Sequence, residues 1–399
     1  MQPLPGFRDF YPETLAVRRH IFAVWRDMAR RYGFREYDGP PLEPLELYTL
    51  KSGEEIVHQL FNFVDKGDRA VALRPEMTPT LARMAGARHR DYKKPLKWFA
   101  IPQLFRYEKQ QRGRLREHFQ FNADIIGESD SGADAELIAL AIDSLRAFGL
   151  TQRDFVVRIS DRQAWQRHLS ALGIAEDKHG AVFQAIDKME REPLEKTREK
   201  IAAVTSHVDE VLAFPREDLH ELLDRLGELA SFCEVDFRIV RGLAYYTGIV
   251  WEIHDRQGQL RAIAGGGRYD NLLKLVSGVD LPALGFGMGD VVLGELLKER
   301  GLLPQPDWRL DAYVVIAEES LRPAALRLIR QLREGGASVD YALAPAKVSK
   351  QFQNAAALGA RFAVVIGSEE WTAGEVMLKN LATGEQVRVR RDEVARRIS

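Results

Sequence analysis

Cysteine, net charge and long apolar runs are all scarce in this 399-residue chain, and each scarcity excludes a class of protein. Its only cysteine is Cys233, so a disulfide framework and a cysteine-based zinc site are excluded. The 57 basic and 58 acidic side chains nearly cancel, so any binding of nucleic acid must depend on a local patch. No apolar run approaches membrane-spanning length, and the N-terminal residues lack an apolar signal core. We therefore expect no membrane association and a cytoplasmic location.

Four parts of different composition follow one another along the chain. In residues 1–160, short strand candidates alternate with helices, which indicates an α+β fold and not a regular βαβ repeat. Residues 161–230 carry more charge and show helical periodicity, and we interpret them as a helical insertion. Strand patterns return over residues 231–303, with a turn near Arg256–Gly258. After the linker "LLPQPDWR", residues 310–399 alternate strands and helices, which predicts a small α/β domain.

The stretch "FRYEKQQRGRLREHFQFNADIIG", residues 105–127, combines a cluster of cations with a strand of alternating character. Because strand side chains alternate between faces, the apolar residues from Leu115 to Ile125 share one face. The other face carries polar side chains: Arg116, His118, Gln120, Asn122 and Asp124. This pattern fits a hairpin with one buried and one solvated face. It also fits a hairpin that lines a pocket for a polyanion, since arginine forks bind phosphate oxygens two at a time.

Three further stretches favour the pocket, because each groups polar or small residues at close spacing. They contribute Glu76 and Thr78 in "LRPEMTPTLAR", Arg241 ahead of Tyr245 and Tyr246 in "VRGLAYYTGIVWEIHD", and Gly265 to Gly267 in "AIAGGGRYDNL". Successive glycines at a strand end allow a backbone to approach a ligand closely. A Walker-type glycine loop is absent from the sequence, so side chains would have to hold any phosphates.

These stretches together resemble the histidyl-tRNA synthetase family, which is a class II aminoacyl-tRNA synthetase family, along nearly the whole chain. "YDGPPLE" resembles motif 1, "FRYEKQQRGRLREHFQ" resembles motif 2, and "RGLAYY" and "GGGRYDN" are similar to the two histidine-specific signatures. The tail "KVSKQFQNAAALGARFAVVIG" resembles an anticodon-binding domain. The resemblance implies an antiparallel-sheet catalytic core, a helical insertion and a homodimer. It also implies activation of L-histidine with ATP and Mg²⁺, followed by transfer of the histidyl group to tRNA(His).

The resemblance assigns roles to residues that the motifs carry. Arg106 and Arg241 would be catalytic. Arg106 would bind the α-phosphate of ATP and the histidine carboxylate, and Arg241 would approach the same phosphate from the opposite side. The implied histidine-binding residues are Glu76, Met77, Thr78, Arg106, Gln120, Asp124, Arg241, Tyr245 and Tyr246. The implied ATP-binding residues are Arg106, Glu108, Arg114, His118 and Arg241. No metal site formed by the protein is expected. No protein nucleophile is expected either, because the carboxylate of histidine attacks directly.

The chain departs from the family pattern at four positions. His118 stands where phenylalanine is usual, at a position expected to stack on adenine. Asp124 replaces the usual glutamate of the imidazole site, and Ala244 stands where aspartate is commonest. In "LGFGMGDVVLGELL", which resembles motif 3, Val292 stands where an ATP-binding arginine is expected.

Two other functions remain open at this point. A synthetase-like regulatory subunit of ATP phosphoribosyltransferase would use the same core as a histidine sensor, without needing Arg114 or an RNA-binding tail. A free-standing paralogue would charge something other than tRNA, which the anticodon-like domain argues against. We favour the synthetase because the chain retains Arg106, Arg114 and Arg241 together with a C-terminal domain.

Overall fold

The computed structural model describes residues 1–52, 59–107, 113–241, 245–258, 260–305 and 307–398. The chain divides into two compact units, Met1–Pro304 and Gln305–Ser399, and the boundary falls in the predicted linker. The further division of the first unit into residues 1–160, 161–230 and 231–303 stays a prediction. Within the described ranges, no helix combines the length and the apolar character needed to cross a membrane.

The first unit is built on a large sheet flanked by helices. Its strands and those of a smaller sheet are β1 (Arg35–Glu36), β2 (Leu42–Pro44), β3 (Asn62–Val64), β4 (Ala70–Leu73), β5 (Leu96–Ala100), β6 (Gln103–Phe105), β7 (Glu117–Ile126), β8 (Phe155–Asp161), β9 (Cys233–Val235), β10 (Ile249–Asp255), β11 (Ala264–Arg268) and β12 (Ala283–Gly289). The helices outside the insertion are α1 (Pro12–Arg31), α2 (Glu46–Ser52), α3 (Thr78–Arg88), α4 (Ser131–Arg146), α10 (Leu272–Ser277) and α11 (Asp290–Glu299).

The strands of the large sheet lie in the order β1-β5-β7-β12-β11-β10-β8-β9, and β6 also pairs with β7. The pairs from β5 through β8 are antiparallel, whereas β1 with β5 and β8 with β9 are parallel. Strands β2, β4 and β3 form the smaller antiparallel sheet. The antiparallel core that the motifs imply is therefore confirmed. The proline-containing stretch "GFREYDGPPLEP" supplies edge strands to both sheets, as its prolines predict.

The hydrophobic core lies between one face of the large sheet and helices α1, α4 and α11. Helix α1 presents Ile21, Trp25 and Met28 to this core at helical spacing. The ring of Trp25 stacks on that of Phe121 with centroids 5.7 Å apart, and Phe286 meets Phe121 edge to face at 5.3 Å. Each such buried side chain contributes roughly 1.5–3 kcal/mol by leaving water. The apolar face predicted for β7 is confirmed, since it packs into this core.

Helices α5 (Arg162–Ala171), α6 (Glu176–Asp187), α7 (Leu194–Ala202), α8 (Val208–Leu212) and α9 (His220–Leu226) follow β8, where the sequence predicts helices. Trp165 and Phe183 lie in a separate apolar cluster here, together with Phe237 and Val240 from the following segment. The strand pattern predicted over residues 231–303 is confirmed by β9, β10, β11 and β12, but it is wrong for residues 236–241. Asp236 accepts the backbone N–H of Arg238 at 3.0 Å, and Arg241 has a φ of +53°, which is incompatible with an extended strand.

The second unit has the predicted alternation of strands and helices. Its elements are β13 (Ala312–Ile316), α12 (Arg322–Glu334), β14 (Val339–Tyr341), α13 (Val348–Ala357), β15 (Phe362–Ile366), α14 (Ser368–Thr372), β16 (Glu375–Asn380), β17 (Gln386–Arg390) and α15 (Val394–Ile398). The strand order is β14-β13-β15-β16-β17, with the first three strands parallel. Strands β16 and β17 form an antiparallel hairpin near the end of the chain. This unit has its own apolar core.

Candidate active site

One cavity of about 710 Å³ in the first unit brings together most of the residues that the motifs single out. The predicted residues that line it are Glu76, Thr78, Arg106, Arg114, His118, Gln120, Asp124, Arg241, Tyr245 and Tyr246. These positions span more than 160 residues of sequence, so the tertiary fold brings them together. Met77 is a correction: its side chain is fully buried beside Arg74, and the residue does not line the cavity. Glu108 lies outside the described residues.

Strand β7 forms one wall of the cavity through its polar face. The side chains that line the cavity from this strand are His118, Gln120, Asn122 and Asp124. Of the two structures that the pattern fits, the hairpin that lines a pocket is therefore correct, and the hairpin with a solvated polar face is not. The neighbouring strand β12 places Gly285 opposite Asp124.

Glycines form the floor beside this wall because side chains of the site occupy the space that a Cβ atom would need. A Cβ atom on Gly285 would overlap the carboxylate of Asp124, and one on Gly287 would lie 2.5 Å from the side-chain carbon of Gln120. On β11, a Cβ atom on Gly265 would overlap the guanidinium of Arg241. The glycine run predicted that a ligand approaches the backbone closely. At Gly265 the group that approaches the backbone is the guanidinium of Arg241.

Asp124 is the most deeply buried carboxylate of the predicted set, with 4% of its surface exposed. The hydroxyl of Tyr269 donates a hydrogen bond to its Oδ1 atom. Burial raises the pKa of the Asp124 carboxyl to about 7, although the hydrogen bond from Tyr269 acts in the opposite direction. Tyr269 also lines the cavity, and the sequence analysis did not assign it. Its position in "GGGRYDN" is the signal that could have found it.

The raised pKa of Asp124 predicts a specific dependence of stability on pH. Because the folded-state pKa of about 7 exceeds the ordinary 3.8, folding favours the protonated acid, and this component of stability is lost as pH rises from about 4 to 7. Asp124→Asn removes the ionisation and still accepts the hydroxyl of Tyr269. We expect the variant without substrate to exceed the wild type in unfolding free energy at pH 8 by up to roughly 4 kcal/mol.

Urea denaturation at pH 5 and pH 8 measures this difference. The advantage of the asparagine variant should be much larger at pH 8 than at pH 5. An equal difference at the two values of pH would show that Asp124 ionises with its ordinary pKa.

Arg241 reaches the cavity from a backbone in the left-handed region, with φ of +53°. Its Nη1 atom donates to Oε1 of Glu252 at 2.6 Å, and Oε2 of Glu252 lies 3.0 Å from Nε2 of His254. Burial raises the pKa of Glu252, but the charge of Arg241 and the contact with His254 outweigh it and lower the pKa to about 2. Glu252 therefore stays ionised and fixes the guanidinium. The alternation in "WEIHD", which puts Glu252 and His254 on one face of β10, could have predicted this pair.

Two buried hydrogen bonds from helix α5 hold the backbone just ahead of Arg241. Arg162 donates from Nη1 to the carbonyl oxygen of Val240 at 3.0 Å, and Trp165 donates from Nε1 to the carbonyl oxygen of Phe237 at 2.9 Å. The guanidinium of Arg162 also lies 3.6 Å from the ring centroid of Phe183 in α6. The helical insertion thus positions the segment that carries Arg241.

Arginines other than Arg241 also line the cavity. Arg106 donates from Nε to the carbonyl oxygen of Pro75 at 3.0 Å, and Arg114 and Arg261 line the cavity with it. Burial lowers the pKa of His118 to about 3, helped by the charges of Arg106, Arg8 and Arg114. The imidazole of His118 is therefore neutral at physiological pH.

The sequence analysis missed Arg261 and three residues that line the cavity from the end of α6, namely Gln184, Asp187 and Lys188. They carry no local pattern that marks them, because the insertion reaches the cavity only through its tertiary packing. Arg261 directly precedes the glycine-containing stretch "AIAGGGRYDNL".

Comparisons with known proteins give matches over most of the chain. The family model described as Histidyl-tRNA synthetase matches residues 6–289, and the one described as Anticodon binding domain matches residues 311–399. The histidine–tRNA ligase of Opitutus terrae is 47% identical, with 98% of this chain and 97% of the relative covered.

Two solved structures share the fold. The histidyl-tRNA synthetase of Nostoc sp. PCC 7120 superposes with a TM-score of 0.77 at 25% identity, covering 100% of this chain and 98% of that chain. An ATP phosphoribosyltransferase regulatory subunit/histidyl-tRNA synthetase from Bacillus halodurans C gives 0.71 at 22% identity, covering 88% and 96%. The second likeness shows the fold alone. From the family match over most of its length and the 47% identical relative, this chain belongs to the histidyl-tRNA synthetase family.

Proposed function

We propose that this protein is a histidine–tRNA ligase, which activates L-histidine with ATP and transfers the histidyl group to the 3′ end of tRNA(His). The observation that carries the proposal is the single cavity in which a buried carboxylate and tyrosines face a set of arginines. The family membership and the relative from Opitutus terrae support it. The anticodon-binding match over residues 311–399 supports tRNA as the acceptor.

Recognition of histidine falls to the buried end of the cavity. An imidazole offers one N–H donor and one acceptor nitrogen, and a site that leaves either unpaired loses heavily in affinity. We assign these partners to Asp124 and to the hydroxyls of Tyr245 or Tyr246. Glu76 and Gln120 bind the ammonium group, and the hydroxyl of Thr78 adds an acceptor. Tyr269 holds the carboxylate of Asp124 in place, which keeps its orientation fixed before histidine enters.

Activation is an in-line displacement at the α-phosphorus of ATP. The carboxylate oxygen of histidine forms the new bond to phosphorus, and pyrophosphate leaves, so no side chain of the protein becomes bonded. Negative charge accumulates on the α-phosphate oxygens, where Arg106 and Arg241 donate from two sides. Arg241 is pre-oriented by Glu252, so little reorganisation is needed as that charge develops. Arg114 binds the outer phosphates, and neutral His118 provides a flat surface for the adenine.

The transfer step uses the same cavity. A ribose hydroxyl of the terminal adenosine of tRNA attacks the carbonyl carbon of the adenylate, and AMP leaves. Homodimer formation through the motif 1 region and a cytoplasmic location belong to the proposal as well.

Magnesium fits the site as an ion that enters with ATP. In the part of the chain that the structure describes, no group of three or more His, Cys, Asp or Glu side chains is arranged to hold a metal. Mg²⁺ at nucleotide sites is usually held by one or two carboxylates together with substrate phosphates. Asp187, at the cavity and not assigned to histidine, is the carboxylate that would join the phosphates. The bound ion would neutralise phosphate charge during the displacement.

The test of the proposed function is exchange of radiolabelled pyrophosphate into ATP by the purified protein. We expect exchange only when histidine is present, because only histidine places a carboxylate against the α-phosphate. The other amino acids, tested one at a time, provide the control. Absence of exchange together with intact histidine binding would favour the histidine-sensing regulatory subunit. Aminoacylation of total tRNA with each amino acid then tests the acceptor, and charging with histidine alone is the expected result.

A further inference from the structure

The position where the family resemblance expects an ATP-binding arginine is occupied here by Val292, and this residue lines the cavity. Its side chain is 7% exposed and carries no charge. A triphosphate brings several negative charges to this end of the cavity, and arginine forks are the side chains best suited to bind them. The question is which group supplies the positive charge instead.

Arg261 and Val292 both line the cavity, and their side chains both approach Gly113. A Cβ atom built on Gly113 would be 3.2 Å from Cγ2 of Val292 and 4.0 Å from Cδ of Arg261, so both side chains reach the same point. Gly113 directly precedes Arg114, which lines the cavity beside them. Arg261 thus lies in the same part of the cavity as Val292 and as Arg114, the cation that binds the outer phosphates in the proposed function.

The backbone that follows Arg261 is firmly held. The N–H of Ile263 donates to the carbonyl oxygen of Ile253 at 2.8 Å, and the carbonyl oxygen of Ile263 accepts from the N–H of Gly289 at 3.2 Å. The side chain of Ile263 is 1% exposed. An arginine two residues from such an anchor has a restricted range of positions, which favours a specific role over that of a freely moving surface cation.

We propose that Arg261 replaces the expected motif 3 arginine, binding the outer phosphates of ATP together with Arg114. This inference rests on the proposed function, since it names a further residue of the same reaction. The guanidinium of Arg261 donates to oxygens of the β- or γ-phosphate. Arg261 belongs to the connection between β10 and β11, whereas Val292 belongs to α11, so a cation from another element compensates for the valine.

The test compares Arg261→Gln with Arg256→Gln in histidine-dependent pyrophosphate exchange. Arg256 belongs to the same connection between β10 and β11 but pairs with Glu234 and lies outside the cavity. We expect Arg261→Gln to raise the KM for ATP by roughly 10- to 100-fold, the range of one charge-assisted hydrogen bond, and to leave the KM for histidine within twofold. Arg256→Gln should match the wild type in both constants.

A second measurement separates phosphate binding from a merely structural role. AMP has no outer phosphates, so its affinity in the presence of histidine should be unchanged in Arg261→Gln, whereas ATP affinity falls. Val292→Arg introduced into Arg261→Gln should recover part of the ATP affinity, because it restores a cation at the position the family uses.

Two outcomes would overturn the inference. One is an ATP KM of Arg261→Gln within twofold of the wild type, and the other is an equal loss of AMP and ATP affinity. Failure of the proposed function is a distinct result, because it appears as absence of exchange in the wild-type protein itself.

Discussion

Arg241→Ala should lower the rate of adenylate formation by about 10²- to 10³-fold while the affinity for histidine changes only slightly. In the proposed mechanism, Arg241 donates to the negative charge that builds up on the α-phosphate oxygens during the displacement. Single-turnover formation of histidyl-adenylate measures the rate, and calorimetric titration of histidine without ATP measures the affinity. A collapse of histidine affinity with the rate preserved would show that Arg241 serves substrate binding alone.

The ion pair of Arg241 with Glu252 dictates the control for this experiment. Removing the guanidinium leaves a buried carboxylate without its partner, which costs about 3–5 kcal/mol of stability in comparable cases. We therefore add Arg241→Ala/Glu252→Gln, in which neither charge remains. The double variant should recover thermal stability and remain slow in adenylate formation. Recovery of the rate in the double variant would mean that Arg241 acts through the fold and not on the phosphate.

Gly285→Ala should abolish histidine binding, with a loss of affinity of at least about 100-fold. The added methyl group would occupy the space of the Asp124 carboxylate, and the carbonyl oxygen of Ala123, 3.0 Å away, blocks escape along the backbone. The carboxylate of Asp124 must then leave its contact with Tyr269, and the imidazole of the bound histidine loses its hydrogen-bond partner. Calorimetric titration of histidine measures the effect.

The matched control is Gly294→Ala in helix α11. The nearest atom to its added Cβ would be Cδ1 of Ile21 at 4.0 Å, which is ordinary contact. This variant should bind histidine like the wild type and be slightly more stable, because alanine favours the helix. Gly285→Ala/Asp124→Ala relieves the overlap and should regain stability without regaining histidine. Histidine binding by Gly285→Ala at wild-type affinity would show that Asp124 does not contact the substrate.

Local patterns predicted the parts of the site that a single strand or turn defines. The alternation along β7 placed His118, Gln120 and Asp124 on the cavity face, because a strand fixes the direction of successive side chains. The glycine run predicted a place without side chains, and its first residue, Gly265, forms the floor together with Gly285 and Gly287 of β12. The separation into two units followed from the linker, where composition changes.

Local sequence patterns could not predict the contacts between distant segments. Tyr269 and Asp124 are 145 residues apart in sequence, and only the pairing of β7, β12 and β11 brings them together. The strand expected after Val235 failed for a related reason. Its apolar residues, Phe237 and Val240, pack against the helical insertion, and the chain turns there to deliver Arg241. A periodicity of apolar residues does not tell which neighbour they will meet.

Strand β7 joins two tasks in one length of backbone. Phe121 packs between Trp25 and Phe286 on one face, while the residues on either side of it, Gln120 and Asn122, line the cavity. A change of volume at Phe121 therefore moves the binding groups by the same displacement that relieves the packing. Along this strand, the packing of the core and the position of the cavity side chains are therefore mechanically coupled.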